Sequence, residues 1–548
     1  MTTRYRWARV GDINAFFGLM LDNVAGLILV VSLLHQVFQF PVEFSLRYMI
    51  PGTALGVLVG DLAFFCLAFL LAKRTQSDSV TAMPLGLDTP STFGMVFFVL
   101  GPAYGAAVSA GQDTHTAAMH AWQIGICSIF VSGLLKLVCA MGSGWVRRVV
   151  PRAGLLGSLA AVALVLISFL PLLEILQIPL VGLVALAIVL TALIGRVPLP
   201  FKLPGAVGGL IVAGSIYGMM HAGGWLGNGS HAAFNPSQGL WPTEWLEALS
   251  FGWLSKMAET VNYLPVVIPF ALATVVGGID CTESAAAAGD EYSTEAVIGI
   301  EAIATLLASF CGAVIQTTPY IGHPAYKAMG GRAAYTLATA LLIGVLGTTG
   351  LFGYFYQFIP KATVFPILVF VGLEIAAQSF LATPRRHYPA VAMACIPALA
   401  VLALHFVGQL WGDPSLARHG LNPSTLENPE LAAALNTTTL LSNGFILTSV
   451  FWASALAMAI DRRMIAAAMF YFAAAGCTLL GIIHSPTKPE RILFPFEWLG
   501  LPEWMVLQDL SHRETVLSWF GGYVCVGLLM VAWNAYLKIA EPQPSRPS

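Results

Sequence analysis

From residue 12 to residue 538 the chain is a succession of apolar runs, most of them long enough to cross a bilayer as helices. Crossing the hydrocarbon core takes about 20 predominantly apolar residues. On that basis spans are expected near 12–35, 52–72, 84–102, 118–141, 152–170, 172–195 and 205–221. A second series is expected near 262–288, 294–313, 316–331, 334–356, 361–381, 388–410 and 437–460. With 464–484 and 514–538 the total is about sixteen. The polar stretch between the series holds Trp225, Trp241 and Trp245 and is expected at the membrane interface. Only 10% of the 548 residues are charged, where a soluble domain carries about a quarter, so most of the surface should face lipid. A net charge of -2 offers no handle for nucleic acid. The eight cysteines lie singly in apolar runs without a CxxC pair, which argues against a zinc site or a disulfide framework. The first run is long and lacks a small-residue cleavage site, so it is read as a span and not a signal peptide.

Loop charge supports this count, because Lys and Arg collect in short cytoplasmic loops. Arg4, Arg6 and Arg9 put the amino terminus inside, in a cell (inner or plasma) membrane. Counting onward, the inside loops hold Lys73 and Arg74; Arg147, Arg148 and Arg152; Arg196 and Lys202; Lys327 and Arg332; Arg385 and Arg386; and Arg462 and Arg463. The long loops 222–260, 411–436 and 485–513 fall outside. One inside loop is an exception, carrying Asp290, Glu291 and Glu295.

Two segments within the membrane are broken by proline and glycine, from Ala82 through Pro84 and Pro90 to Thr92, and from Thr317 through Pro319, Gly322 and Pro324 to Ala325. Each reads as an extended stretch entering a half-helix, which lipid tolerates only where protein or a wet cavity satisfies the backbone. They are the third span of each series. The opening helices carry Asp22 and Asp280, and the second helices carry Asp61 and Glu301. Seven spans separate each pair, so the two halves should be inverted, as in many secondary transporters.

Ionisable groups inside the membrane are the candidate site residues. Asp280 and Glu283 are three apart and share a helical face, where their repulsion favours holding a proton. Asp22 lies midway along the first span. Asp88 and Thr89 stand where the first broken segment turns helical, and Asp88 is either an N-cap or a substrate contact. His323, Thr317, Thr318 and Tyr320 stand in the second broken segment. Asp61 and Glu301 are expected to pair with backbone or hydroxyls, and Lys136 and Lys361 to snorkel toward the interface. Glu374 also lies within a span.

These residues carry a resemblance. The Pro84 segment, and the run from Tyr320-Ile321 to Gly330-Gly331-Arg332, resemble the third and tenth spans of nucleobase–ascorbate transporters, most of all the adenine/guanine/hypoxanthine-type permeases. Ile279-Asp280-Cys281-Thr282 is similar to their eighth span. The resemblance implies an all-α polytopic protein of two inverted sevens with core and gate domains, and it makes Asp280 the substrate carboxylate. The corresponding divisions are 10–221, a loop 222–261, 262–460, and a C-terminal extension 461–548 of about two further helices. The chain departs from the family at Gly322, where the tenth span normally supplies a Glu that binds the base; His323 beside it offers a donor and an acceptor instead.

The leading expectation is a nucleobase symporter, driven by protons in preference to sodium, without cofactor or metal and with a homodimer as the candidate assembly. Asp280, Glu283, Asp88, Thr89, Thr318, Tyr320, Gly322 and His323 would bind substrate, and Glu283, Asp22 and His323 would exchange the proton. A small organic or inorganic anion carrier of the same fold is the alternative, favoured by Gly322, although no basic residue stands beside Asp88 or Gly322 in sequence. A non-transporting receptor is a third reading. An enzyme is disfavoured, since no HExxH, GxSxG or Walker pattern occurs.

Overall fold

The computed structural model describes residues 5–142, 151–200, 203–226, 236–320, 322–411, 414–419, 427–486 and 512–540. Apolar composition and rarity of charge make these residues overwhelmingly helical. The first helices are α1 (Gly11–Phe38), α2 (Val42–Thr75), α3 (Thr89–Ser109), α4 (Thr114–Ala140), α5 (Arg152–Leu176), α6 (Pro179–Leu193) and α7 (Gly205–Ala222). Then come α8 (Leu264–Ala287), α9 (Thr294–Phe310), α10 (His323–Ala328), α11 (Ala334–Thr348), α12 (Phe352–Phe358) and α13 (Lys361–Leu381). The last are α14 (Tyr388–Trp411), α15 (Pro414–Arg418), α16 (Pro429–Ser442), α17 (Phe445–Ile460), α18 (Met464–Leu479) and α19 (His512–Ala540).

Among the described residues, 10 helices are long and apolar enough to cross a membrane, or up to 12 if each of two bent pairs is one span. The sixteen runs read from sequence are therefore not sixteen full-length spans. α6 and α18 are shorter apolar helices, and the expected span 334–356 is two helices bent by 88°. The expected span 437–460 is likewise part of two helices, bent by 80° where Gly444 takes φ +69° and allows the turn.

The chain forms two compact units, residues 1–146 with 166–374, and residues 147–165 with 375–548. In the second, the first turns of α5 pack against α14 and α17, while α18 and α19 lie against one another. Asp461 there accepts from His387 at 2.7 Å and pairs with Arg386 at 3.1 Å.

In the first unit both broken segments become short strands. β1 (Leu85–Leu87) and β2 (Thr317–Pro319) pair antiparallel, with Leu85 opposite Pro319, Gly86 opposite Thr318 and Leu87 opposite Thr317. The pairing extends beyond the strands, through Tyr320 N–H to the Pro84 carbonyl at 2.9 Å and Asp88 N–H to the Gln316 carbonyl at 3.0 Å. Proline explains why these segments are not helical throughout. Pro84 and Pro319 lie in the extended stretches, whereas Pro90 and Pro324 sit in the first turns of α3 and α10, where a missing N–H costs nothing. Each strand satisfies the other's polar backbone, as burial demands.

The leading helices of the two series run in opposite directions. Asp12, in the first turn of α1, accepts from Arg332 N–H at 2.8 Å, and Arg9 just before it pairs with Asp78 beyond the end of α2 at 3.8 Å. Asp290, between the end of α8 and the start of α9, pairs with Lys327 at 2.7 Å. One end of the unit thus collects the start of α1, the end of α2, the end of α8 and the start of α9, so α8 and α9 are turned over relative to α1 and α2. That end holds Arg9, Lys327 and Arg332 together, and Lys327 pairs with Asp290, one of the three acids of the exceptional loop. The opposite end is covered by residues 236–263, where Glu244 pairs with Arg47 and Glu259 meets His120 at 3.0 Å.

Candidate functional site

Around the strand crossing stand five ionisable groups from four helices and one strand end. Asp61 on α2 is fully buried, and its Oδ1 accepts the Leu85 amide of β1 at 3.0 Å. Glu301, the matching acid on α9, is also fully buried and pairs with Lys136 of α4 at 2.7 Å. Lys136 Nζ also donates to the Thr317 carbonyl of β2 at 3.0 Å. Lys136 therefore does not snorkel to the interface. A lysine stem near a span end permits that, but here the ammonium has an acid and a strand carbonyl to satisfy it inside the protein. Glu301 thus has a cation as its partner, together with the Thr274 hydroxyl of α8. Each second helix thus secures the strand of its own half, Asp61 directly and Glu301 through Lys136.

Asp88 caps α3, accepting from Ser91 N–H at 2.9 Å, and Gln316 Nε2 reaches the same oxygen at 3.4 Å. Gln316 in turn accepts from Ser132 Oγ at 2.6 Å. The N-cap reading of Asp88 is what the geometry contains, and Thr89 beside it is buried. Asp22 is buried on α1 with its carboxylate against Gly86: a Cβ there would lie 3.5 Å from Asp22 Oδ2 and 3.9 Å from Asn23 Oδ1. Asn23 Nδ2 donates to the Leu19 carbonyl at 3.0 Å and reaches the Leu85 carbonyl at 3.5 Å. Thr318 lies opposite Gly86 in the register, so Asp22, Gly86 and Thr318 meet at the crossing.

On α8 the residues that face β2 are Gly278 and Cys281. A Cβ on Gly278 would lie 3.8 Å from Pro319 Cγ, and Cys281 Sγ approaches the Pro319 carbonyl at 3.4 Å. Asp280 is half-buried next to Cys281, and Glu283 is exposed.

His323 is fully buried toward the end that holds Asp290. Its Nε2 lies 3.2 Å from Asp290 Oδ2 and 3.1 Å from the Thr81 carbonyl. The extended residues before β1 are gripped there from several sides. Asp290 Oδ2 accepts Thr81 N–H at 3.1 Å, Tyr292 and Tyr335 donate to the Thr81 and Ala82 carbonyls at 2.6 Å each, and Tyr5 donates to the Val80 carbonyl at 2.8 Å. Burial alone would push the Asp290 carboxyl up, but hydrogen bonds from His323, Lys327 and the Thr81 amide outweigh it and hold it below the usual carboxylate range. Sequence reasoning missed Lys136 as a site residue, and this grip; an isolated lysine in an apolar run was the only signal for the first.

The Gly330-Gly331-Arg332 run has a packing role. Gly330 takes φ +83°, a Cβ on Gly331 would lie 2.9 Å from the Tyr326 carbonyl, and Arg332 N–H reaches Asp12. A run of this kind speaks for the fold and not for the substrate.

Oppositely directed helices, joined through two broken segments that pair as strands amid buried charges, give an inverted-repeat architecture of the kind found in many secondary transporters. Neither a family model nor a curated protein matches the chain. Among solved structures it is similar to the transmembrane domain of a cyanobacterium bicarbonate transporter BicA, at 13% identity and TM-score 0.42, covering 72% of this chain and 96% of that one. It is also similar to SLC26A9, at 12% identity and TM-score 0.47, covering 97% and 91%. For the murine solute carrier 26 family member A9 anion transporter in the inward-facing state the values are 10%, 0.40, 74% and 69%. The inverted order of α1 and α2 against α8 and α9 rests on the chain's own contacts.

Proposed function

We propose that the chain is a secondary active transporter that carries a small anion together with a proton by alternating access. The observation that supports this most is the antiparallel pairing of 85–87 with 317–319 between oppositely directed series of helices. Broken backbone of this kind at the repeat interface is where such transporters hold substrate and coupling ion. Charge at the crossing supports proton coupling. Asp22, Asp61, Asp88 and Glu301 outnumber Lys136, and a further negative charge enters such a region only if an acid there is neutralised. A proton does that.

Gly322 favours an anion over a nucleobase. A base presents ring N–H donors that a carboxylate of the tenth span would accept. Here the position has no side chain, and a Cβ would stand 2.6 Å from the Tyr320 ring. The test is uptake into proteoliposomes under an imposed pH gradient, with labelled bicarbonate, sulfate, formate, hypoxanthine and uracil as probes. The expected result is proton-driven uptake of an anion and none of the bases. Movement of a base but no anion would replace the substrate reading, and a folded preparation that moves nothing would end the transport reading.

A further inference from the structure

We infer that Asp61 is the group that takes up and releases the coupling proton, an inference that rests on the transport reading and sharpens it. Asp61 and Glu301 occupy matching helices of the inverted halves and each secures one strand, yet only one of them has a counter-ion. Glu301 has Lys136 at 2.7 Å. Among the described residues Asp61 has no cation beside it: its Oδ1 holds the Leu85 amide at 3.0 Å and its fully buried Oδ2 has no protein partner. Asn23 Oδ1, also buried and without a partner, flanks the same strand residue. A charge left alone in this way is costly, and a bound proton removes it.

The groups that face Asp61 from its packing neighbours fit a proton better than a salt bridge. Tyr335 of α11 and Tyr326 of α10 interact electrostatically with Asp61, and its Oδ1 lies against the Leu85 amide of β1. None of these is a cation. Nor do the described residues contain a group of three or more His, Cys, Asp or Glu side chains able to hold a metal ion. The proton state is tied to strand position through one bond. An ionised Asp61 grips the Leu85 amide by a charge-assisted hydrogen bond, and a protonated one grips it more weakly. A proton arriving from water on one side and leaving to water on the other thereby loosens and tightens β1 once per cycle.

Two measurements test this together. Infrared spectra of the purified protein, titrated from acid to alkaline pH, should contain a carboxylic-acid carbonyl band that Asp61→Asn removes and Asp61→Glu retains at a shifted midpoint. In proteoliposomes loaded with whichever labelled anion the wild type accumulates, Asp61→Asn should cut pH-gradient-driven uptake by about tenfold or more, and Asp61→Glu should retain part of it with a shifted pH dependence. An unchanged band in Asp61→Asn, or undiminished gradient-driven uptake, would overturn the assignment. The infrared result is independent of flux, so a wild type that transports none of the probes but shows the band refutes the transport reading and leaves the protonation of Asp61 standing.

Discussion

Lys136 and Glu301 meet at 2.7 Å with neither side chain exposed, and the lysine carries that pairing on to the backbone of β2. Both charges of this pair are wholly buried. Two charges out of water hold one another only if both remain, and removing one leaves the other buried and alone. Lys136→Met should therefore lower stability by about 3–5 kcal/mol, read as a fall in Tm of the detergent-solubilised protein. Adding Glu301→Gln should recover part of that loss, because the orphaned charge is gone. A single variant that melts like wild type would mean the pair contributes nothing.

Asp290 makes stability depend on acid. Its folded carboxyl titrates below the usual range, so its contribution is fully present above the unfolded carboxylate value and is lost as pH falls through the folded one. Thermal stability should decline on that acid limb, and Asp290→Asn should flatten it while costing on the order of 3 kcal/mol at neutral pH. The cost follows from removing the charge that Lys327 pairs with, and from leaving a single amide oxygen where two carboxylate oxygens served Lys327, His323 and the Thr81 amide. Melting curves across a pH series check both parts.

The broken segments were legible because proline and glycine act locally. Pro84, Gly86 and Pro90, and then Pro319, Gly322 and Pro324, forbid a continuous helix wherever they stand. The inversion was legible too, through the matched acids Asp22, Asp61, Asp280 and Glu301. The partners were not. Nothing local distinguishes a lysine that snorkels from one that meets Glu301 across the bundle, so Lys136 was assigned to the wrong environment. Nothing local marks Tyr292, between α8 and α9, or Tyr335, in the first turn of α11, as a backbone clamp, since the carbonyls they reach belong to residues 81 and 82, far away along the chain. Span number failed for a related reason: hydropathy cannot tell a bent pair, as at Thr349–Leu351, from a straight crossing.

The tyrosine grip on residues 80–82 can be measured directly. Tyr335→Phe removes the donor to the Ala82 carbonyl and leaves a buried acceptor unpaired, with a cost of about 1–3 kcal/mol. Tyr292→Phe does the same at Thr81, where Nε2 of His323 also contacts the carbonyl, so its cost should be the smaller of the two. Equal losses in Tm, or none, would contradict this ordering.

Gly322 offers the sharpest test of how the second broken segment is packed. Its φ is −67°, so any residue can adopt its backbone, and only space decides what is tolerated. An added Cβ would lie 2.6 and 2.8 Å from two atoms of the Tyr320 ring and 3.1 Å from the Tyr326 ring. Gly322→Ala should accordingly cost about 1–3 kcal/mol through overpacking. Removing the obstructing ring should relieve that strain, so Gly322→Ala should cost less in a Tyr320→Ala background than in the wild type. The four melting temperatures of this cycle give the coupling directly. Additive effects would show that the ring does not occupy the space a side chain at residue 322 needs, and would remove the steric ground for reading the site as lacking a tenth-span acid.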